Sequence, residues 1–242
     1  MKIYITVVLS ERDPCLFDPS YIKKQTNKIS QLITEQINSQ ITPTIFFFSH
    51  SIDLLRNIDE SKRLIELCIL HQIPMLACMK SITKRNIAQE IYSNISPVGL
   101  GVFVEGVISA NKNIVININS HYFHSQLKKK INHNKNFVIF QKSDYYSKYF
   151  IEEITDLITM AIIFDQNIDV IFSNPNFFLS LIFHDEIKYH PKLRFIYEEN
   201  KSNQIFDNIG LDFSKKDLKN FLPLTKKEIY KIRKNADFEI KV

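Results

Sequence analysis

Cys78 closes an apolar run, Pro74-Met75-Leu76-Ala77, and is followed by the polar, basic stretch Met79-Lys80-Ser81-Ile82-Thr83-Lys84-Arg85, which leads into a helix. A thiol at a strand end, facing a helix N-terminus and close in sequence to Lys80, Lys84 and Arg85, has two physical reasons to ionise. The helix dipole and the cations both favour the thiolate, and such settings take a cysteine from a free pKa of about 8.5 to roughly 3.5–7.5. The chemistry on offer is nucleophilic attack by sulfur. On local sequence a second reading stands beside it: a buried strand-end cysteine that packs as a small hydrophobe.

The remaining candidates are weaker. Cys68, in Ile65-Glu66-Leu67-Cys68-Ile69-Leu70, falls on the apolar face of a helix and reads as core. Cys15 follows Asp13-Pro14 in the loop leaving the first strand, on the same rim as Cys78, and is either a resolving thiol or an incidental loop residue. His50 ends the second strand and lines that rim too, whereas His71, His184 and His190 hold loop or helix-end positions. A Cys/His hydrolase also needs an orienting carboxylate or amide and an oxyanion hole, and no motif marks either. There is no C-x-x-C and no pair of histidines at zinc-ligand spacing, so no metal is expected. Met75 and Met79 read as strand packing, and Glu152-Glu153 and Glu198-Glu199 as solvated faces.

The elements that position these residues alternate. Strands are expected at Lys2–Leu9, Thr44–Phe48, Ile73–Cys78 and Asn113–Asn119, and helices at Ser20–Ile37, Ser61–Leu70, Thr83–Tyr92 and Leu100–Ser109. After the polar stretch His121–Asn136, with its run Lys128-Lys129-Lys130, a second series begins. Strands are expected at Phe137–Gln141, Val170–Phe172, Leu193–Tyr197 and Phe238–Val242, and helices at Phe150–Phe164, Lys215–Phe221 and Lys226–Lys231. Each half opens with a strand and a long helix, has a short second strand carrying Phe, and places a proline, Pro74 or Pro191, at the start of its third strand. This order predicts an α/β fold of two tandem domains, each a mainly parallel, doubly wound sheet with helices on both faces.

Composition narrows the function classes. The 242 residues are 45% hydrophobic and 24% charged, ordinary for a globular chain of two small domains. Only four glycines occur, and Gly99, Gly101 and Gly106 do not spell the G-x-G-x-x-G dinucleotide motif, while no Walker A sequence is present. Phosphate-loop and Rossmann enzymes are thereby disfavoured. The net charge of +5 permits an acidic partner, yet the lysine triplet reads as a solvated linker rather than an RNA-binding arm. The N-terminal apolar run is too short for a signal sequence, and a cytoplasmic location is expected.

Leu76-Ala77-Cys78-Met79-Lys80 with Lys84-Arg85, then Val98-Gly99-Leu100-Gly101-Val102-Phe103-Val104-Glu105 and Asn113-Ile114-Val115-Ile116, resembles the DsrE/TusD sulfur-relay proteins. The resemblance covers residues 1–120. Residues 137–242 are similar, more loosely, to the TusC/DsrF branch, through Thr155–Gln166 and the following Asp169-Val170-Ile171-Phe172. The resemblance therefore implies a TusD/DsrE-like sulfur-carrying domain over 1–120, a basic linker over 121–136 and a TusC/DsrF-like assembly domain over 137–242. It departs from the family in the first loop, where Ser10-Glu11-Arg12-Asp13-Pro14-Cys15 stands in place of a glycine-bearing segment.

What the resemblance implies is a sulfurtransferase. A TusA-type donor passes persulfide sulfur to Cys78, which hands it to a TusE-type acceptor for 2-thiouridine formation at the tRNA wobble position. The same superfamily also serves dissimilatory sulfur oxidation. No cofactor or metal is implied, direct tRNA or membrane contact is not, and the complex is an oligomer with room for a TusB-like subunit. No cysteine follows Cys78, so the second half cannot carry a persulfide and is assigned to assembly. The alternatives are a non-catalytic assembly module in which Cys78 merely packs, and a redox enzyme using Cys15 with Cys78.

Overall fold

The structure is a computed structural model that describes residues 1–9, 18–56, 58–87, 94–118, 122–127 (backbone only), 135–141, 148–181, 187, 190–199 and 220–241. Cys15, the lysine triplet, His184 and residues 215–219 of an expected helix lie outside these. The chain divides into two compact units, Met1–Ile131 and Asn132–Val242.

Unit 1 is a six-stranded sheet in the order β4-β3-β2-β1-β5-β6. The strands are β1 (Ile3–Leu9), β2 (Thr44–Ser49), β3 (Met75–Cys78), β4 (Ser96–Val98), β5 (Lys112–Asn117) and β6 (Tyr122–Leu127). All pair in parallel except β6, which runs antiparallel to β5. β6 occupies part of the stretch expected to be a linker, so the first sheet extends past residue 120.

Alternation along the buried strands supplies both faces. Ile3, Ile5, Val7, Ile45, Phe47 and Ala77 share a core with Ile29 and Ile33 of α1 (Pro19–Asn38) and with Leu64 and Cys68 of α2 (Ile58–Leu70). On the other face Tyr4, Phe46 and Phe48 meet Phe103 of α4 (Leu100–Ser109), with ring centroids 4.3–6.1 Å from that of Phe103. The short helix α3 (Met79–Lys84) follows β3 directly. This corrects the start of the expected helix over Thr83–Tyr92: helical turns run from Met79 and break at Asn86, which takes a positive φ of 46°, while residues 88–92 of that expectation lie outside the described residues.

Unit 2 is a five-stranded, all-parallel sheet, β10-β9-β8-β7-β11. Its strands are β7 (Asn136–Phe140), β8 (Asn167–Ile171), β9 (Leu193–Glu198), β10 (Phe221–Leu224) and β11 (Phe238–Lys241); its helices are α5 (Lys148–Ile163), α6 (Pro175–Ser180) and α7 (Lys226–Asn235). One face, with Val138, Ile171 and Ile196, packs against Ile229 of α7. The other carries Phe195 and Phe221, against which the ring of Phe178 from α6 stands edge-on at 5.0 Å. Arg233 of α7 lies over the Phe140 ring at 3.6 Å and donates through Nε and Nη2 to Oε1 of the fully buried Glu239.

In both units the fourth, third, second, first and fifth parallel strands stand side by side in that order. The tandem arrangement thus appears as one topology used twice. The edge strands β4 and β10 were not expected, and each contains a proline, Pro97 or Pro223. A residue without an N–H is excluded from a central strand but tolerated at a sheet edge, where one side of the ladder is unpaired.

One further expectation is corrected: Glu153 of α5 is fully buried rather than solvated. The apolar side chains Phe150, Ile151, Ile154, Leu157 and Ile158 of the same helix are buried too. Among the described residues no helix is long and apolar enough to cross a membrane.

Candidate functional site

β3 ends at Cys78, which caps α3 with extended backbone (φ −63°, ψ 120°). The strand is short because β2 pairs with it only over Ile45–Phe47, and the chain turns into α3 immediately after Cys78 aligns with Val98 of β4. The sequence placed this thiol at the carboxyl edge of the sheet, and the structure puts it there. The strand order reverses between β1 and β5, so Cys78 stands two strands away from the switch point at which open sheets usually hold ligands.

Cys78 is only 1% exposed, while its neighbour Met79 is 53% exposed and Val102, in the first turn of α4, is 48% exposed. Met79 therefore faces solvent, contrary to its expected packing role. α3 is six residues long, so few aligned peptide dipoles stand behind the thiol. Cys68 behaves as expected: it sits in the core between α2 and the sheet, and burial pushes its thiol up to about 12.

The carboxyl ends of β2 and α3 are joined by a polar cluster. Ser49, the last residue of β2, has φ 59° and ψ −133°, a conformation outside the usual range of L side chains, and it leads into a 3-10 helix, His50–Leu55. Arg85, 9% exposed at the end of α3, donates from Nη2 to Ser49 Oγ (3.0 Å), from Nε to His50 Nδ1 (3.1 Å) and from Nη1 to the Ser81 carbonyl (3.1 Å). Asp53 Oδ2 lies 3.2 Å from the same His50 nitrogen, and Asp53 Oδ1 accepts from Arg56 Nε at 2.6 Å. Arg56 also donates through Nη2 to the Arg85 carbonyl at 2.5 Å.

Of the residues singled out by sequence, His50, Cys78 and Arg85 thus fall at the carboxyl ends of the adjacent strands β2 and β3 and of the helix that follows β3. Ser49, Asp53 and Arg56 were missed. The only local signal was the polar Ser49-His50-Ser51 directly after three phenylalanines. In unit 2, counting from the first paired residue of the third strand, Ile196 holds the place of Cys78. That side chain has no nucleophilic chemistry. A surface groove of about 410 Å³, lined by Asn27, Gln31, Thr34, Glu35 and Arg63, lies along α1 and α2 instead of at the strand ends. Among the described residues no group of three His, Cys, Asp or Glu side chains could hold a metal ion.

No protein-family model matches the chain, and none of the curated proteins does.

Proposed function

We propose that the chain is a cytoplasmic sulfurtransferase of the DsrE/TusD kind, with Cys78 as the sulfur carrier and unit 2 as a TusC/DsrF-like assembly partner. The Cys78 thiolate attacks the outer sulfur of a donor persulfide, forming a new S–S bond as the donor leaves as a thiolate. An acceptor thiolate then attacks the outer sulfur of the Cys78 persulfide, taking that sulfur and returning Cys78 as a thiolate. The donor is TusA-type, the acceptor TusE-type and the destination the tRNA wobble uridine. The observation that carries this reading is the placement of Cys78 at the carboxyl end of β3, the cap of the segment that ends in Arg85. The repeat supports it, since the same position in unit 2 is the inert Ile196.

The burial of Cys78 favours the second reading, a non-catalytic assembly module in which the thiol packs. Incubation with a persulfidated donor separates the two. Transfer adds the mass of one sulfur to the peptide containing Cys78, and Cys78→Ser abolishes the gain. Label on Cys15 or Cys68 overturns the site, and absence of label supports packing.

A further inference from the structure

Helix α7 (Lys226–Asn235) carries five cations and one carboxylate in ten residues. Its apolar side chains face the sheet: Ile229 is buried and Ile232 packs against the same cluster. Arg233 turns inward to Glu239 and the Phe140 ring. The opposite strip, at helical offsets of three, four and seven, reads Lys227, Tyr230, Lys231 and Lys234, all exposed. Solvated helices usually interleave both signs along such a strip. Here Glu228 is the one acid of the helix, and it serves the Thr225 cap, accepting from the Thr225 amide at 2.9 Å and hydroxyl at 2.7 Å. Lys227 and Lys231 stand at i,i+4 and Lys231 and Lys234 at i,i+3, so each pair repels. Lys226 and Lys227 also occupy the first turn, where the helix dipole disfavours a cation. Lys226 reaches Glu198 only at 3.9 Å. The arrangement weakens the helix, and a polyanion laid along the strip relieves the repulsion.

We propose that this strip binds a single-stranded polynucleotide, with its lysines on the phosphates and Tyr230 stacked on a base. Tyr230 is 63% exposed, a large ring held in water beside cations. Base–aromatic stacking with flanking basic side chains is how sequence-tolerant single-strand sites are built. At about 1.5 Å per residue the strip from Lys227 to Lys234 spans about 10 Å, the length of roughly three stacked nucleotides. A membrane surface fits less well, because an interfacial helix inserts an apolar face and that of α7 is covered by its own sheet. A duplex leaves Tyr230 no open base to stack on. An acidic peptide matches the charge but gives the ring no planar partner. The proposal stands apart from Cys78 and holds or fails whatever sulfur labelling shows.

Fluorescence anisotropy of labelled dodecamers of uridine and of thymidine, titrated with the full chain from about 50 mM salt upward, tests this. Binding is expected with a log–log salt slope of about −2, from about −0.7 for each of three neutralised phosphates. Lys227→Gln, Lys231→Gln and Lys234→Gln combined are expected to weaken binding by about tenfold and to flatten that slope. The same triple change at Lys128, Lys129 and Lys130 removes equal charge and is expected to alter neither. Tyr230→Ala is expected to lose about tenfold in affinity at an unaltered slope, and Tyr230→Phe to restore it. Equal losses in the two triple variants overturn the proposal, because binding then follows net charge and not this strip. So do failure of the wild type to bind, a Tyr230→Ala affinity equal to wild type, and equal or tighter binding of a duplex, a polyglutamate peptide or phosphatidylserine vesicles. Circular dichroism checks each variant; if the triple variant in α7 does not fold, Tyr230→Ala and Tyr230→Phe decide.

Discussion

Gly106 of α4 faces the ring of Tyr4 so closely that a Cβ there would lie 2.3 Å from Tyr4 Cε2. The phenol it admits stacks against Phe46, yet its hydroxyl is buried without a hydrogen-bond partner, and burial holds its pKa well above the usual tyrosine range. The two residues therefore predict opposite effects. Gly106→Ala forces the sheet and α4 apart and is expected to cost about 1–3 kcal/mol by overpacking. Tyr4→Phe removes an unsatisfied polar atom and is expected to be neutral or stabilising by up to about 1 kcal/mol, both read from urea denaturation midpoints. Gly99 is the contrast: a Cβ there meets nothing within 4 Å. Gly99, one of the two glycines of the Gly-Leu-Gly segment, is thus not required by packing against a neighbour. Sequence shows Gly99 and Gly106 equally, and only what stands across from each distinguishes them.

Glycine scarcity also shapes the elements. Among the described residues, four helices end with a non-glycine residue in the left-handed region: Gln40 after α1, Gln72 after α2, Asn86 after α3 and Asp165 after α5, with φ between 46° and 62°. Each is the pivot of the same terminal motif, with paired bonds such as Ile41 N to Gln36 O at 3.0 Å and Gln40 N to Ile37 O at 2.8 Å. Glycine adopts this conformation without the Cβ penalty, so Gln40→Gly and Gln72→Gly are each expected to stabilise by roughly 0.5–1 kcal/mol, with the two effects additive in thermal or urea unfolding. The helices themselves were legible from apolar spacing and from caps such as Asp18, whose carboxylate takes the Ser20 amide and is held below the usual range by Ser20. Their C-termini were less so, because Gln and Asp are not stop signals by type. At α3 the signal was present and overlooked: Asn86 is a residue type that tolerates the left-handed conformation, and the terminus is fixed by the bonds that the amides of Asn86 and Ile87 make to the carbonyls of Thr83 and Ile82.

At the scale of the whole molecule the two sheets share one order of five parallel strands, and among the described residues each unit has a buried apolar cluster of its own. Residues 1–131 and 132–242, produced as separate chains, are therefore expected each to unfold cooperatively by circular dichroism and calorimetry; a molten profile for either would show that it depends on the other for its core. The alternation of strands and helices, the repeat and the strand-end position of Cys78 were determined by sequence alone, because hydrophobic period and chain order are local properties that survive without knowledge of partners. The tertiary structure alone decided that β4 and β10 pair at the edges despite their prolines, that Cys78 is buried, and that Arg85 reaches Ser49 and His50, 36 and 35 residues away in sequence. Those outcomes depend on which groups meet after the sheet has formed. The polar cluster of Ser49, His50, Asp53 and Arg85 has no signature in a linear pattern, since it exists only where the end of β2 and the end of α3 are brought together.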